Sequence, residues 1–210
     1  MRIERMGEKA LLLRDLPFDP ASVARVLSKA GVGEEAVASY ETVGVYFAEP
    51  VLDTYDFDAI LREHREEGAE GKSHVIPVCY EMGEDLAAAA ASLQMSVASL
   101  VERHSAAVYK CFAVGFCPGF AYLGYLPPEI AGLARLPSPR TRIEPGSVAM
   151  TGRQTAVYPL PTPGGWHLVG RTPLVLVDED DDYFPIEAGD TVRFSPIDAD
   201  EFARLKGERL

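Results

Sequence analysis

Arginine is concentrated in one stretch of an otherwise acidic chain. The 210 residues carry a net charge of −12 at pH 7, yet residues 131–175 contain five arginines and a single acid, Glu144. The arginines are Arg135, Arg140, Arg142, Arg153 and Arg171. Because guanidinium groups give planar, two-pronged recognition of carboxylates and phosphates, this stretch is a candidate site for a small anion or an acidic partner. The alternative is a loop-rich surface on which the arginines simply face water.

Three segments rich in glycine, proline and aromatic residues occupy the same part of the chain. They span residues 115–124, residues 137–142 with 145–148, and residues 152–155 continuing through 158–159 and 163–166 to 170–173. Glycine lets the backbone approach a ligand closely, and proline stiffens the loop beside it. Rigid loops that carry arginine, glutamine, threonine and aromatic side chains suit the binding of a small polar molecule. A barrel with tight corners would use the same residues.

Histidine and cysteine supply the remaining reactive side chains. His104 stands just ahead of the first segment, where it could shuttle a proton or, alternatively, lie at a helix end and face the helix dipole. The three cysteines, Cys79, Cys111 and Cys117, show neither CxxC spacing nor a neighbouring histidine pair. We therefore expect no metal and interpret the cysteines as small buried side chains, with Cys117 as the candidate for a reactive thiol.

The acidic balance and the hydropathy pattern exclude several classes of protein. An excess of acids disfavours nucleic-acid binding, which needs a basic surface. No apolar run approaches the ~20 residues of a membrane helix. Residues 1–9 lack the apolar core of a secretory signal. We therefore expect a soluble, cytoplasmic protein that contacts neither nucleic acid nor membrane.

Strand and helix signals alternate in the first 80 residues. Asp19-Pro20 is typical of a helix start, and Gly31 is typical of the end of that helix. Phe57, Ile60, Leu61 and His64 have the spacing of an amphipathic helix. Strands are predicted at 10–14, at 37–47 with a break at Gly44, and at 74–80. This order predicts a small α+β sandwich.

The pattern of predicted elements changes between residues 77 and 84, where the alternation of strands and helices ends. Two helices are predicted next, at 85–93 and, capped by Ser96, at 97–103. Short strands between glycine- and proline-rich turns then predict a β-barrel or sandwich. These strands are predicted at 108–114, 147–151, 156–160, 167–169, 174–177 and 191–194. We therefore predict an α+β protein with an N-terminal α+β domain at 1–78 and a β-barrel domain at 79–210.

The three segments, in this order, resemble the family of allophanate hydrolase subunit 1, which also includes the B subunit of 5-oxoprolinase. A sporulation histidine-kinase inhibitor is its best-known member. The resemblance runs from about residue 10 to residue 197 and is dense at 104–173 and 187–196. It implies a small N-terminal α+β domain followed by a cyclophilin-like β-barrel, in agreement with the boundary predicted above.

The resemblance also implies a function. Members of the family act with a related second subunit, similar to allophanate hydrolase subunit 2, and with a third subunit in the ATP-dependent opening of 5-oxo-L-proline to L-glutamate. The chain has neither GxxxxGK[ST] nor GxGxxG, so we expect ATP to be used by the complex and not bound by this chain alone. Two alternatives are a histidine-kinase inhibitor and the first half of a biotin-dependent urea or amide carboxyltransferase.

The residues inside the family-like segments supply the predicted site. Arg140 and Arg171 are expected to hold the substrate carboxylate or a phosphate. Gln154 and Thr155 are expected to hydrogen-bond the amide, and His104 is the candidate catalytic residue that moves a proton. Tyr122 and Trp166 are interpreted as anchors of the core or of an interface.

Overall fold

The computed structural model describes residues 1–51, 55–64 and 71–210. The chain divides into two compact units, Met1–Gly71 and Lys72–Leu210. None of the helices within the described ranges is long and apolar enough to cross a membrane.

The first unit is a four-stranded antiparallel sheet with two helices. The elements are β1 (Arg2–Arg5), β2 (Ala10–Arg14), α1 (Pro20–Lys29), β3 (Glu35–Ser39), β4 (Thr42–Tyr46) and α2 (Phe57–Glu63). The sheet order is β1-β2-β4-β3. Helix α1 begins as its sequence predicts, because the Asp19 carboxylate accepts a hydrogen bond from the Ala21 N–H at 3.0 Å and Pro20 occupies the first turn.

The predicted strand at 37–47 is a hairpin, and the predicted break at Gly44 is wrong. The chain turns at Tyr40, which has a φ of 55°, between β3 and β4. Gly44 instead lies in the middle of β4, where it pairs with Leu12 of β2 on one side and Val37 of β3 on the other. A strand paired on both sides tolerates a glycine that would interrupt an isolated strand.

The second unit is built on a seven-stranded sheet. The strands are β5 (Ser73–Val78), β6 (Tyr109–Val114), β7 (Ala121–Gly124), β9 (Ser147–Thr151), β10 (Gln154–Val157), β12 (His167–Arg171) and β13 (Thr191–Pro196). Their order in the sheet is β12-β9-β10-β7-β6-β13-β5. The sheet nearly closes, because Cys79 beyond β5 exchanges backbone hydrogen bonds of 2.8 and 3.0 Å with Arg171 of β12. The predicted α+β class with a C-terminal barrel is confirmed.

Three α-helices and a separate two-stranded sheet complete this unit. Helix α3 (Leu86–Ser92) is followed by α4 (Val97–Ala106), which Ser96 caps by accepting from the Ser99 N–H. Helix α5 (Ala199–Leu205) follows β13, and β8 (Arg140–Ile143) pairs with β11 (Thr162–Gly164). The predicted strand at 174–177 is reduced to a single bridge between Val175 and Arg209, because its neighbour there is a short terminal segment and not a strand.

The division of the two units falls ahead of β5, whereas the sequence placed this strand in the N-terminal domain. β5 pairs in parallel with β13 along its whole length, from Ser73 opposite Thr191 to Val78 opposite Pro196. The buried Asp190 carboxylate accepts hydrogen bonds from the Lys72 N–H at 2.8 Å and from His74 Nε2 at 2.9 Å. Local composition does not reveal a pairing partner so distant in sequence.

Candidate functional site

A cup of aromatic side chains lies on the outer face of the seven-stranded sheet. Along β9 and β10, Ala149 and Ala156 face this cup, while their neighbours Val148, Met150 and Val157 pack in the barrel interior. The cup encloses about 210 Å³. We call it the aromatic cup; its lining is Phe116, Phe120, Tyr122, Arg135, Pro139, Tyr158, Pro163, Gly164, Gly165 and Trp166. All three glycine- and proline-rich segments contribute to it.

Phe120 lies at the centre of the aromatic cup. Its ring makes edge contacts with the rings of Phe116, Tyr122, Tyr158 and Trp166, at centroid distances of 5.4, 5.0, 5.2 and 5.7 Å. Interlocked aromatic rings of this kind fix one another's orientation, so the walls are formed before a ligand arrives. Phe116 is 62% exposed and has a φ of 74°, a conformation that costs energy for a phenylalanine and that is frequent at functional sites.

The two-stranded β8–β11 sheet closes one side of the cup and requires a glycine there. A Cβ on Gly164 would lie 2.3 Å from the Tyr158 hydroxyl oxygen and 2.7 Å from the Ile143 Cδ1 atom. Strand β11 therefore approaches the seven-stranded sheet at a distance that no larger residue permits. The neighbouring Gly165 has no such constraint, because its nearest neighbours would lie 3.7 Å away.

Arg135 supplies the cation of the cup. No carboxylate of the described residues forms an ion pair with it, unlike Arg140 and Arg142. Burial raises the pKa of Tyr158 to about 12, an effect that Arg135 opposes, and burial likewise raises the pKa of Tyr122. Both phenols are therefore neutral at pH 7 and can donate hydrogen bonds. Aromatic walls, two hydroxyl donors and one guanidinium suit a small ring that carries a negative charge.

Arg140 is already paired within the protein. Its Nη2 lies 2.7 Å from Asp85 Oδ1, and its Nε lies 3.6 Å from Glu84 Oε2. The hydrogen bond to Asp85 raises the pKa of Arg140. Asp85 also accepts a hydrogen bond from the Leu168 N–H at 2.8 Å. The structure thus gives Arg140 a position linking β8 to β12 and the start of α3, beside the cup.

Arg171 lies elsewhere. Its Nε donates to the Pro145 carbonyl at 3.3 Å, and its side chain lines a separate cleft of about 470 Å³. The two arginines predicted to bind substrate therefore do not share a cavity.

His104 and Thr155 are brought together in the barrel core, where both are 0% exposed. The Thr155 hydroxyl donates to the Ala149 carbonyl at 3.0 Å, so it accepts from His104 Nε2, 2.9 Å away. Nδ1 of His104 then accepts from the Tyr80 hydroxyl at 2.7 Å. Burial lowers the pKa of His104 to about 3, which keeps the ring neutral. Both ring nitrogens are satisfied inside the protein.

Gln154 and Thr155 point to opposite faces of β10, as neighbours in a strand must. Thr155 faces the interior, and Gln154 lies on the outer face with Ala156, opposite Gly124 of β7. Of this predicted pair, Gln154 is the residue on the side of the aromatic cup.

The cysteines match their sequence interpretation in two positions. Cys79 and Cys111 are buried, and Cys117 is half-buried. Burial and then Glu179 raise the pKa of Cys117, so its thiol stays protonated at neutral pH, which disfavours a nucleophilic role. In the part of the chain that the structure describes, no group of three or more His, Cys, Asp or Glu side chains could hold a metal ion.

Arg135 and Phe120 are two residues of the cup that the sequence did not predict as site residues. Arg135 was one of five arginines and lies just ahead of the second segment, and Phe120 was one aromatic of the first segment. Both residues line the cavity, and Arg135 has no ion-pair partner among the described residues. Neither property can be predicted from the spacing of residues in the sequence.

Comparison with known proteins agrees with this architecture. Residues 1–185 match the model of the family "Carboxyltransferase domain, subdomain C and D". The chain is 36% identical to the B subunit of 5-oxoprolinase from Bacillus subtilis over 180 residues, which cover 80% of this chain and 75% of that protein. It is 40% identical to the B subunit of 5-oxoprolinase from Escherichia coli O157:H7 over 171 residues, which cover 77% of each chain.

Solved structures extend the comparison. The crystal structure of TTHA0988 superposes with a TM-score of 0.76 at 30% identity, over 91% of this chain but only 40% of that one. The urea carboxylase of Kluyveromyces lactis superposes with a TM-score of 0.64 at 16% identity, over 97% of this chain and 22% of that one. At that identity the likeness concerns the fold alone.

Proposed function

Since this chain belongs to the family of carboxyltransferase subdomains C and D, as the resemblance of its three segments indicated, we propose that it is a subunit of an ATP-dependent 5-oxoprolinase. In this proposal the complex opens 5-oxo-L-proline to L-glutamate. The two relatives described above, both named as B subunits of 5-oxoprolinase, match 80% and 77% of this chain.

The aromatic cup is the observation that supports the proposal most directly, because its residues could bind the substrate. 5-Oxoproline is a five-membered lactam with one carboxylate, so it combines a flat ring with a single negative charge. In the cup, Phe120 and Trp166 would contact the ring and Arg135 would bind the carboxylate. The hydroxyls of Tyr122 and Tyr158 are neutral donors, suited to the lactam oxygen on which negative charge develops.

The residues predicted from the sequence take different parts in this proposal. Gln154, on the cup side of β10, is a proposed contact to the amide. Arg140, paired with Asp85, is proposed to position the two-stranded β8–β11 sheet that closes the cup. His104 and Thr155 are proposed to hold the barrel interior together by their shared hydrogen bond. These assignments follow from where each side chain finds its partner.

Partner subunits complete the proposed enzyme. A related second subunit and a third subunit would supply the ATP-dependent part, because the chain has neither glycine-rich phosphate-binding motif. The test is ATP-dependent release of glutamate from 5-oxoproline by the reconstituted subunits, with proline as the control ring that has no amide to open. Glutamate release that needs this chain would support the proposal, and a reconstituted mixture in which this chain is dispensable would refute it.

The family name and the fold of urea carboxylase favour a second candidate. In that case the chain is part of a biotin-dependent carboxyltransferase acting on urea or another amide. Mass spectrometry of the native complex separates the two, because only the carboxyltransferase requires a biotinylated partner. Recovery of a sensor kinase in the same experiment, without a related subunit, would instead indicate the kinase-inhibitor function.

A further inference from the structure

A second cleft lies in the barrel unit apart from the aromatic cup. Its floor is the segment 172–177, and one wall is formed by Phe202 and Lys206. These two residues are four apart on and just beyond α5, so they share one side of the helix. The cleft holds about 470 Å³, within the range of sites that bind small organic molecules and about twice the volume of the cup.

The charge of this cleft is opposite to that of the chain. Among the described residues that line it, two are cationic, Arg171 and Lys206, and none is Asp or Glu. The whole chain has 32 acidic and 20 basic residues. A cleft lined by two cations and no acid therefore has a positive electrostatic potential that attracts anions. Most of the remaining lining is aliphatic, including Leu174 and Val175.

Arg171 is held by its backbone and by one nitrogen of its guanidinium. Its backbone exchanges hydrogen bonds with Cys79, and its Nε donates to the Pro145 carbonyl. No ion-pair partner for its guanidinium occurs among residues 1–51, 55–64 and 71–210. A guanidinium that is fixed at Nε and unpaired at its two Nη groups is preorganised for a carboxylate.

The cleft also depends on a close backbone approach at its edge. Gly146 has a φ of 84°, and a Cβ there would lie 2.4 Å from the Thr172 carbonyl oxygen. Thr172 in turn donates its N–H to the Gly146 carbonyl at 2.8 Å. This contact fixes the loop that carries Pro145 against the floor of the cleft.

We propose that this cleft is a binding site for a small organic anion with an apolar body. The carboxylate or sulfonate of the ligand binds Arg171 and is attracted by Lys206, and its apolar body lies on the aliphatic floor against Phe202. The site is separate from the aromatic cup, and the proposal does not depend on the proposed enzymatic function.

Isothermal titration with 1-naphthaleneacetate tests the proposal on the full chain. The neutral 1-naphthaleneacetamide, of nearly the same shape, is the matched control ligand. We expect the acid to bind more tightly than the amide and its affinity to fall as salt is added. Arg171→Gln should weaken binding of the acid about tenfold or more. Lys206→Gln, at an exposed position, should weaken it about two- to threefold.

Two further variants make the outcome decisive. Arg142→Gln removes a surface arginine that is paired with Glu144 outside the cleft and should leave binding unchanged. Arg135→Gln removes the cation of the aromatic cup and should also leave it unchanged. No binding, equal binding of acid and amide, or weakening only in Arg135→Gln would overturn the proposal. If Arg171→Gln fails to fold, the exposed Lys206→Gln variant and the amide control still decide.

Discussion

At the scale of single residues, His104 shows how a histidine can be fixed in one protonation state. Thr155 is committed as a donor to Ala149, so the histidine must donate at Nε2 and accept at Nδ1 from Tyr80. The ring also stacks on Phe194 at a centroid distance of 4.7 Å. A positively charged ring would donate from both nitrogens, so the Tyr80 hydroxyl would have to turn and accept from Nδ1, and the charge would lie in a fully buried site.

This arrangement predicts a pH dependence of stability. The unfolded chain takes up a proton at His104 below its ordinary pKa of 6.5, whereas the folded chain resists protonation down to about 3. The free energy of unfolding should therefore fall as pH falls from about 6.5, by up to ~1.4 kcal/mol per pH unit from this one group. His104→Gln should remove that part of the slope and cost about 1–3 kcal/mol at pH 7.

Urea unfolding of the parent and of His104→Gln between about pH 7 and pH 5 measures both effects. Equal slopes in the two proteins would show that the folded protein protonates His104 readily. Full stability of the variant with complete loss of activity would instead support the proton-shuttle role predicted from the sequence.

Two arginines allow function and stability to be separated. Arg135→Gln should reduce the activity of the reconstituted complex about tenfold or more, because it removes the unpaired cation of the cup. Its melting temperature should stay close to that of the parent, since the side chain has no ion pair to lose among the described residues. Arg140→Gln should lower the free energy of unfolding by about 1–3 kcal/mol, because Asp85 loses a charge-assisted hydrogen bond.

The comparison uses thermal melts and glutamate-release rates of both variants, with Arg142→Gln as the surface control. A normal melting temperature for Arg140→Gln together with a large loss of activity would restore Arg140 to the substrate-binding role predicted from the sequence.

At the scale of elements, the two-stranded β8–β11 sheet decides the shape of the aromatic cup. Gly164→Ala would place a methyl group 2.3 Å from the Tyr158 hydroxyl oxygen and force β11 away from the seven-stranded sheet. We expect a loss of about 1–3 kcal/mol in the free energy of unfolding, together with weaker substrate binding. Gly165→Ala is the matched control, since its nearest neighbours would lie at an ordinary 3.7 Å. Equal melting temperatures for the two variants would show that β11 moves away without a loss of stability.

Local signals in the sequence located most helices and strands. They failed for strands whose position depends on pairing with a distant strand. Asp19-Pro20 and Ser96 mark helix starts because their side chains and backbone act within one turn. The hairpin at Tyr40 is not evident from the sequence, because its turn has no glycine. The nearest glycine, Gly44, led to a break being predicted there instead. The assignment of β5 depends on a strand more than a hundred residues away, and no local pattern records that partner.

At the scale of the whole molecule, the aromatic cup shows why a site is harder to predict than a fold. Its segments stand out by their glycine, proline and aromatic content, but the role of each arginine depends on its neighbours. Asp85 occupies Arg140, and the strand alternation of β10 separates Gln154 from Thr155. Arg171 belongs to another cavity. Composition identifies the region, and only the three-dimensional arrangement shows which side chains in it are available.

The proposed function also predicts dependence on partners. The purified chain alone should release no glutamate from 5-oxoproline, with or without ATP, because it has no recognised phosphate-binding loop. Exposed Phe116 and Tyr125 in the barrel unit are the kind of aromatic surface that interfaces favour. Adding the related subunits should restore turnover in the same glutamate-release assay. Robust turnover by the lone chain would contradict the prediction.

The pairing of β5 with β13 has a consequence for synthesis. The two strands are 118 positions apart, as Ser73 and Thr191 show. At ribosomal speed, on the order of ten seconds separates their emergence. During that interval β5 has no β13 to pair with. Its side chains Ile76 and Val78, which are 0% exposed in the folded unit, therefore stay exposed to solvent. The nascent chain thus carries an open strand edge, to which chaperones or neighbouring nascent chains can bind, until β13 emerges and closes it.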